Sequence, residues 1–298
     1  MQKYGPSKSR NSAASKATGG GSLDAGLHLV STPLGNARDI TLRALDVLRD
    51  ADLLVAEDTR SLRRLMNIHG IPLAGRRIMA YHDHSGDRDR KAVLDALRQN
   101  ASVAYASEAG TPLVADPGYA LARTVIGEGY RVLPVPGPSA LIAALTVAGL
   151  PCDRFAFAGF PPSQRMARRR FLEALADVRG TLVLYESPRR TSATLQDAAD
   201  VLGADRPAAM CRELTKKFEE IRRDALGTLA ESLAETPLKG EVVLLIGSRE
   251  TPPDPAKVEQ ALREALKTRT LRDAASDVAS RFGLSRRDIY QLGIKIGK

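Results

Sequence analysis

Residues Ser107–Gly118, SEAGTPLVADPG, set Gly110, Pro112, Pro117 and Gly118 around the carboxylate of Glu108, directly after ASVAY, whose apolar character predicts a buried strand. A plain connector needs no such stiffening. Glycine lets a ligand approach the backbone and proline fixes the wall it lies against, so this turn reads as a binding loop. Similar mouths follow other strand-like runs: STPLGN after LHLV, PGPSA after RVLPV, GFPP after FAFA, ESPRR after TLVLY and RELTKKFEE after AAMC. Four of the six combine Pro with Gly, and none carries GxGxxG or a GKS/GKT phosphate loop, which excludes a dinucleotide Rossmann enzyme and a P-loop NTPase. His82, Asp83 and His84 raise a metal reading, because alternate side chains of a strand share a face; no third and fourth ligands recur at metal spacing, and no metal is expected. His28 and His69 read as ordinary structural residues.

The elements that must hold these mouths alternate in type. Leu27–Val30 predicts a strand, Thr41–Ala51 a helix, Asp52–Asp58 a strand and Asp87–Gln99 a helix; then come ASVAYAS, a helix from Pro117 towards Glu128, YRVLPVPG and the small-residue helix PSALIAALTVAG. Such β/α alternation predicts a mostly parallel sheet with helices on both faces and ligands outside its carboxyl ends. The pattern breaks at GLPCD, Gly149–Asp153. A second series follows: FAFAGF, the helix QRMARRRFLEALADV, TLVLYES, SPRRTSATLQDAADVLG, AAMCREL and EVVLLIG. The fold class is therefore α/β, with two α/β lobes (27–150 and 151–248), a ligand cleft between them as the default expectation, and a helical module at 249–298. That last segment has three helix-like runs, the second beginning near Thr270 and the third at Ser285 or Arg286 after the turn FGLS, in the manner of a helix-turn-helix.

Composition bounds the function classes. The 298 residues are 43% hydrophobic and 4% aromatic, without tryptophan, as in a globular protein. Cys152 and Cys211 lie far apart, no apolar run approaches a membrane span, and no secretory leader is recognisable; a cytoplasmic protein is expected. The net charge of +9 is uneven. Residues 1–26, which read as a disordered basic tail, hold four basic and one acidic side chain; residues 249–298 hold eleven and seven, leaving only +2 for the 222 residues between. Basic appendages on a nearly neutral body suit a polyanionic partner.

The set STPLGN, AEDTR (Ala56–Arg60), HDH, SEAGTPLVADPG, PGPSA, YESPRR (Tyr185–Arg190) and RELTKKFEE (Arg212–Glu220), in this order and spacing across about residues 27–247, resembles the tetrapyrrole methylase superfamily. Within it, the likeness is to the branch that 2′-O-methylates a cytidine in the decoding region of 16S rRNA. The resemblance implies S-adenosylmethionine folded in the cleft between two α/β lobes. The positions matching its contacts are Pro33, Leu34 and Gly35; Ser107, Glu108, Ala109, Gly110, Thr111 and Pro112; Ser139 and Ala140; and Tyr185, Met210 and Arg212. Asp116, before Pro117, is expected to cap the following helix and hold that loop. It further implies a homodimer acting on 16S rRNA within the small ribosomal subunit. Two positions depart from the family's pattern: Glu108 stands where Asp is usual, and Arg189 where His is usual, so no histidine serves as general base there.

For a ribose 2′-oxygen attacking a sulfonium methyl group, alignment supplies most of what the protein must do. Candidates for a general base are Glu108, Glu186, Glu213 and Lys216, each of which reads equally as a structural ion-pair residue. RNA phosphate would be met by Arg165, Arg168, Arg169 and Arg170 after GFPP, whose bland alternative is a solvated helix face, and by Lys216 and Lys217. Two other classes compete with the RNA methylase. A small-molecule, precorrin-like methylase explains the cofactor mouths and leaves the basic extensions unused; a non-catalytic ribosome-assembly factor does the reverse.

Overall fold

Ser102–Ala106 are all buried, as expected of a central strand covered on both faces. In the computed structural model, which describes residues 23–82, 85–116, 118–234, 238–248, 255–282 and 284–296, this run is the middle strand of a five-stranded sheet. The chain proceeds through β1 (Gly26–Val30), α1 (Leu42–Asp50), β2 (Leu53–Ala56), α2 (Thr59–Ile68), β3 (Ile78–Ala80), α3 (Asp87–Arg98), β4 (Ser102–Ala106), α4 (Tyr119–Gly127), β5 (Val132–Val135) and α5 (Ala140–Ala148). The sheet order is β3-β2-β4-β1-β5, and every pairing is parallel. Alternation sorts side chains into two cores. Val30, Leu54, Ala56, Ala104 and Ala106 meet α1 and α2 on one face; Leu27, Val55, Val103 and Tyr105 meet α3 and α4 on the other.

The second series is β6 (Phe155–Phe157), α6 (Arg165–Ala174), β7 (Thr181–Glu186), α7 (Thr191–Leu202), β8 (Pro207–Arg212), β9 (Glu220–Ala225), α8 (Leu226–Ser232) and β10 (Val242–Ile246). Its sheet, in the order β6-β7-β10-β8-β9, is mixed: β6 runs parallel to β7, whereas β10 is antiparallel to it. Leu182, Leu184, Met210, Val242, Leu244 and Ile246 make its core with α6, α7 and α8. Then α9 (Pro255–Leu266), α10 (Leu271–Phe282) and α11 (Arg286–Ile296) pack around their own small core of Val258, Leu262, Ala274, Ala275, Val278 and Ile289. The fold is thus α/β with two sheets and a C-terminal helical group, as the β/α alternation predicts.

Two compact units divide the described residues. The first holds those up to Val147 together with Cys211–Glu220; the second holds Ala148–Met210 and the residues from Ile221 on. The loop that follows β8 therefore belongs with the first sheet. Most of the expected basic tail, residues 1–22, lies outside the described residues, as do Asp83, His84, Pro117, residues 249–254 and Gly283. No helix among the described residues is long and apolar enough to cross a membrane.

Candidate active site

Parallel pairing of β1 with β4 and β5 brings three mouths side by side in the first unit. Thr32 and Gly110 exchange backbone hydrogen bonds, Thr32 N–H to Gly110 O at 2.9 Å and Gly110 N–H to Thr32 O at 3.0 Å. The Thr32 hydroxyl donates to Ser107 O at 3.2 Å, and the Thr111 hydroxyl donates to Pro138 O at 2.8 Å. Ser31 N–H reaches Val135 O at 3.1 Å. The loops STPLGN, SEAGTP and PGPSA are thus knit into one rigid cradle. Gly110 has φ +80°, a left-handed conformation natural to glycine, and an added Cβ would sit 3.1 Å from Leu34 Cδ2.

A fourth segment closes on this cradle. Asn36 N–H donates to Thr215 Oγ1 at 3.2 Å, and a side chain at Gly35 would run into the aliphatic stem of Lys216. Glu213 and Thr215 hold positive φ values of 52° and 64°, uncommon for residues with a Cβ. Thr215 N–H donates to Glu219 Oε2 at 2.7 Å, and Arg212 forks onto Glu220 at 2.8 and 2.9 Å. These bonds fix the RELTKKFEE loop tightly. His69 Nε2 meets Ala37 O at 2.8 Å, tying α2 to the loop after β1, and His28 Nε2 meets Asp24 O at 2.8 Å; both histidines are structural, as read from sequence.

Inside the cradle the Ser107 hydroxyl is buried with no hydrogen-bond partner among the described residues. A buried hydroxyl without a partner costs free energy unless something satisfies it, so this oxygen marks a place for a polar ligand group. Pro33, Leu34, Ala109, Thr111, Ser139 and Ala140 are half-buried, Pro112 is buried, and Glu108 and Gly35 are exposed. Glu108 N–H approaches Glu57 Oε2 at 3.4 Å. Glu57 and Thr32 are therefore parts of this centre that residue-type reasoning passed over, although AEDTR and STPLGN were the signals. Next to Glu57, Asp58 caps α2 by accepting from the N–H groups of Arg60 and Ser61, and hydrogen bonds from the Arg60 side chain and backbone hold its carboxyl below the ordinary range.

Several expected residues serve other purposes. Met210 is fully buried in the second sheet's core, so its side chain is a packing residue. Tyr185 stands edge-on to Phe157 at 4.7 Å and Phe160 at 5.7 Å between ring centroids, within the second unit. Glu186 is buried and accepts from Ser187 N–H at 2.7 Å, Arg190 Nε at 2.8 Å and Thr194 Oγ1 at 2.6 Å; a carboxylate so occupied anchors α7 and is no general base. Glu213 and Lys216 pair with each other at 3.0 Å. Helix α4 begins at Tyr119 with Gly118 as its N-cap residue, two positions after Asp116. His82 closes a turn with Ser85, its N–H on Ser85 Oγ at 3.0 Å, while the rest of HDH lies outside the described residues.

The arginine cluster needs the largest correction. Arg168 is only 5% exposed and grips Asp197 of α7 at 2.6 and 2.9 Å. Arg165 and Arg169 converge on the same carboxylate at 3.2 and 3.3 Å, and Arg169 also reaches Asp200 at 2.9 Å. Burial pushes the Asp197 carboxyl up, but hydrogen bonds from Arg168 and Arg165 outweigh it and hold the group below its ordinary value. Arg168 is thus a buried ion-pair residue joining α6 to α7, not a phosphate contact. Arg170, by contrast, is exposed. So is Lys217, which lies 5.4 Å from the ring centroid of the exposed Phe218.

Comparison with known proteins agrees with this architecture. The profile of the Tetrapyrrole (Corrin/Porphyrin) Methylases matches residues 26–230, and that of the RsmI C-terminal HTH domain matches residues 252–297. A Mesorhizobium japonicum protein named ribosomal RNA small subunit methyltransferase I is 45% identical over 90% of this chain and 91% of its own; the Vibrio cholerae protein of the same name is 41% identical over 90% and 94%. Among solved structures, uroporphyrin-III C-methyltransferase from Thermus thermophilus, complexed with S-adenosylhomocysteine, superposes with a TM-score of 0.52 at 21% identity, covering 74% of this chain and 97% of that one. The chain belongs to the tetrapyrrole methylase superfamily and, within it, to the ribosomal RNA small subunit methyltransferase I family.

Proposed function

We propose that the protein uses S-adenosylmethionine to methylate the 2′-oxygen of a cytidine ribose in the decoding region of 16S rRNA, acting on the small ribosomal subunit in the cytoplasm as a homodimer. The observation that carries the donor site is the reciprocal Thr32–Gly110 pairing, which with the Thr111–Pro138 hydrogen bond locks three strand-end loops around the Ser107 hydroxyl, unpartnered among the described residues. That cradle fits the cofactor: it is walled by small and proline residues, and it offers a buried oxygen to a ligand with many polar atoms. Bound there, S-adenosylmethionine would supply a sulfonium-activated methyl group.

Pro33, Leu34, Gly35, Ser107, Ala109–Pro112, Ser139 and Ala140 hold the donor, and the stiffness of their loops sets its orientation. In favourable cases, orientation of this kind accounts for on the order of 7–11 kcal/mol of a barrier. Of the four candidate bases, Glu186 is consumed inside the second unit and Glu213 and Lys216 neutralise each other. Glu108 is left exposed on the cradle's rim, and its carboxylate oxygen takes the ribose 2′-hydroxyl proton; such assistance contributes roughly 10²- to 10⁴-fold. Lys217 with Phe218, and Arg170, meet RNA. Exposed Phe160 and Met166 on the second unit support self-association, which sedimentation of the purified protein measures.

The deciding experiment is mass spectrometry of ribose methylation in small-subunit rRNA from cells lacking the protein, with and without the gene restored. One 2′-O-methylcytidine should vanish and return. An unchanged methylation pattern would favour a small-molecule methylase or a non-catalytic factor.

A further inference from the structure

The first unit contains a cavity of about 240 Å³ that the donor site does not use, lined by Tyr81, His82, Ser85, Arg90, Asp116 and Tyr119 with the Gly118 backbone. It is smaller than the roughly 300–1,000 Å³ typical of pockets for whole drug-sized ligands. Its lining pairs aromatic surface with both hydrogen-bonding polarities. Tyr119, the first residue of α4, is 67% exposed, which leaves its ring open to a ligand. Tyr81 is buried and packs edge-on against Tyr105 at 6.1 Å. Arg90 gives N–H groups to Asp87 and Tyr81, and its five-donor guanidinium retains others. Asp116 and Ser85 bring a carboxylate and a hydroxyl to its wall.

The loop that leaves the donor cradle continues into this cavity. Within nine residues it turns through four positive φ angles: Gly110 at 80°, Leu113 at 70°, Ala115 at 61° and Gly118 at 107°. Leu113 and Ala115 carry side chains, so the path is strained, by about 1–3 kcal/mol per such residue. A Cβ at Gly118 would strike the Tyr105 ring at 2.9 Å. The chain is thus forced along a route that makes one loop both the donor wall and the cavity wall.

We propose that this cavity receives one unstacked base of the substrate RNA, with Tyr119 as the stacking surface and Asp116, Ser85 and Arg90 meeting the base edge. The inference rests on the proposed RNA methylase activity. Sequence-specific RNA recognition works in this way, with splayed bases stacked on aromatic rings and hydrogen-bonded along their edges. A base seated here would place its own or a neighbouring ribose relative to the donor through the shared loop.

The test uses full-length parent, Tyr119→Ala and Tyr119→Phe proteins with small ribosomal subunits from cells lacking the enzyme. S-adenosylmethionine affinity by calorimetry, subunit binding by filter retention and methyl-transfer kinetics are all measured. Loss of a base-stacking ring typically weakens binding by about tenfold, so Tyr119→Ala should lower kcat/KM for subunits about that much, whereas Tyr119→Phe stays near the parent and donor affinity is unchanged in both. Parental kcat/KM in Tyr119→Ala overturns the proposal; so does an equal loss of donor affinity, which would make Tyr119 a support of the loop. If the parent transfers no methyl group to subunits, the activity reading fails separately, and the cavity is judged on binding: weaker retention of Tyr119→Ala sustains it, and equal retention or no binding by the parent overturns it.

Discussion

Gly110 has two reasons to be glycine, its φ of +80° and the nearness of Leu34, and they act together in a loop paired to Thr32. Valine there adds backbone strain of about 1–3 kcal/mol and displaces Leu34. Gly110→Val should remain folded, because the strain is confined to a loop, and should bind S-adenosylmethionine at least tenfold more weakly by calorimetry, since each ~1.4 kcal/mol of strain released on loop rearrangement is a factor of ten. Glu108 separates chemistry from binding. As the proton acceptor it gives Glu108→Ala a kcat lower by roughly 10²-fold, with Glu108→Asp close to the parent and donor affinity unchanged in both, as single-turnover methylation of subunits and calorimetry measure. Full kcat in Glu108→Ala would make the residue a surface carboxylate.

The junction of α6 and α7 is governed by Asp197, which is 2% exposed and receives three arginines. Removing a partner from such a buried pair typically costs on the order of 3–5 kcal/mol, so Arg168→Ala should lower the denaturant midpoint sharply while Arg170→Ala leaves it unchanged. An alanine triple at Arg168, Arg169 and Arg170 would therefore report on stability before it reported on RNA. The Asp197 carboxyl is held below its ordinary value of 3.8, so its contribution to stability is present above that value and is lost as pH falls through the lower folded-state value. Urea titrations across acid pH should show a smaller acid-induced loss in Asp197→Asn than in the parent, from a lower starting stability. Equal pH dependence would mean that other carboxylates govern acid unfolding.

For the chain as a whole, charge and packing divide the labour. The helical group α9–α11 closes its own core, and Arg286 and Arg287 stand exposed at the start of α11. It matches an HTH domain profile, while the cradle for the donor is built from the first unit's loops. A chain ending at residue 248 should keep its S-adenosylmethionine affinity and lose affinity for small subunits, with a flatter dependence of log K on log salt, because fewer counterions are released when fewer basic side chains meet phosphate. Calorimetry and filter binding at two salt concentrations check both halves. Subunit binding with an unchanged salt slope would place RNA contact elsewhere.

Strand and helix periodicity already carried the first sheet, the second lobe and the three C-terminal helices, because burial imposes its rhythm on neighbouring residues. Short elements escaped: β3 has three residues, β9 (EIRRDA) alternates charge with little apolar content, and α2 (TRSLRRLMNI) buries only Leu62 and Met66. The clustered motifs STPLGN, SEAGTP and PGPSA were visible as glycine and proline mouths, since turn chemistry is local. What residue types leave open is partnership. Arg168 and Arg170 are the same amino acid two positions apart on one helix, yet one is buried against Asp197 and the other faces water. Likewise Glu186 ends β7 and Glu108 follows β4 by two residues, and only the fold spends the first on Arg190 and Thr194. Such pairings join residues up to 32 positions apart, and the Asn36–Thr215 contact spans 179. Local sequence sets helix and strand through nearest neighbours, but which charge is neutralised, and which is left for a ligand, depends on surfaces that meet only after the chain has folded.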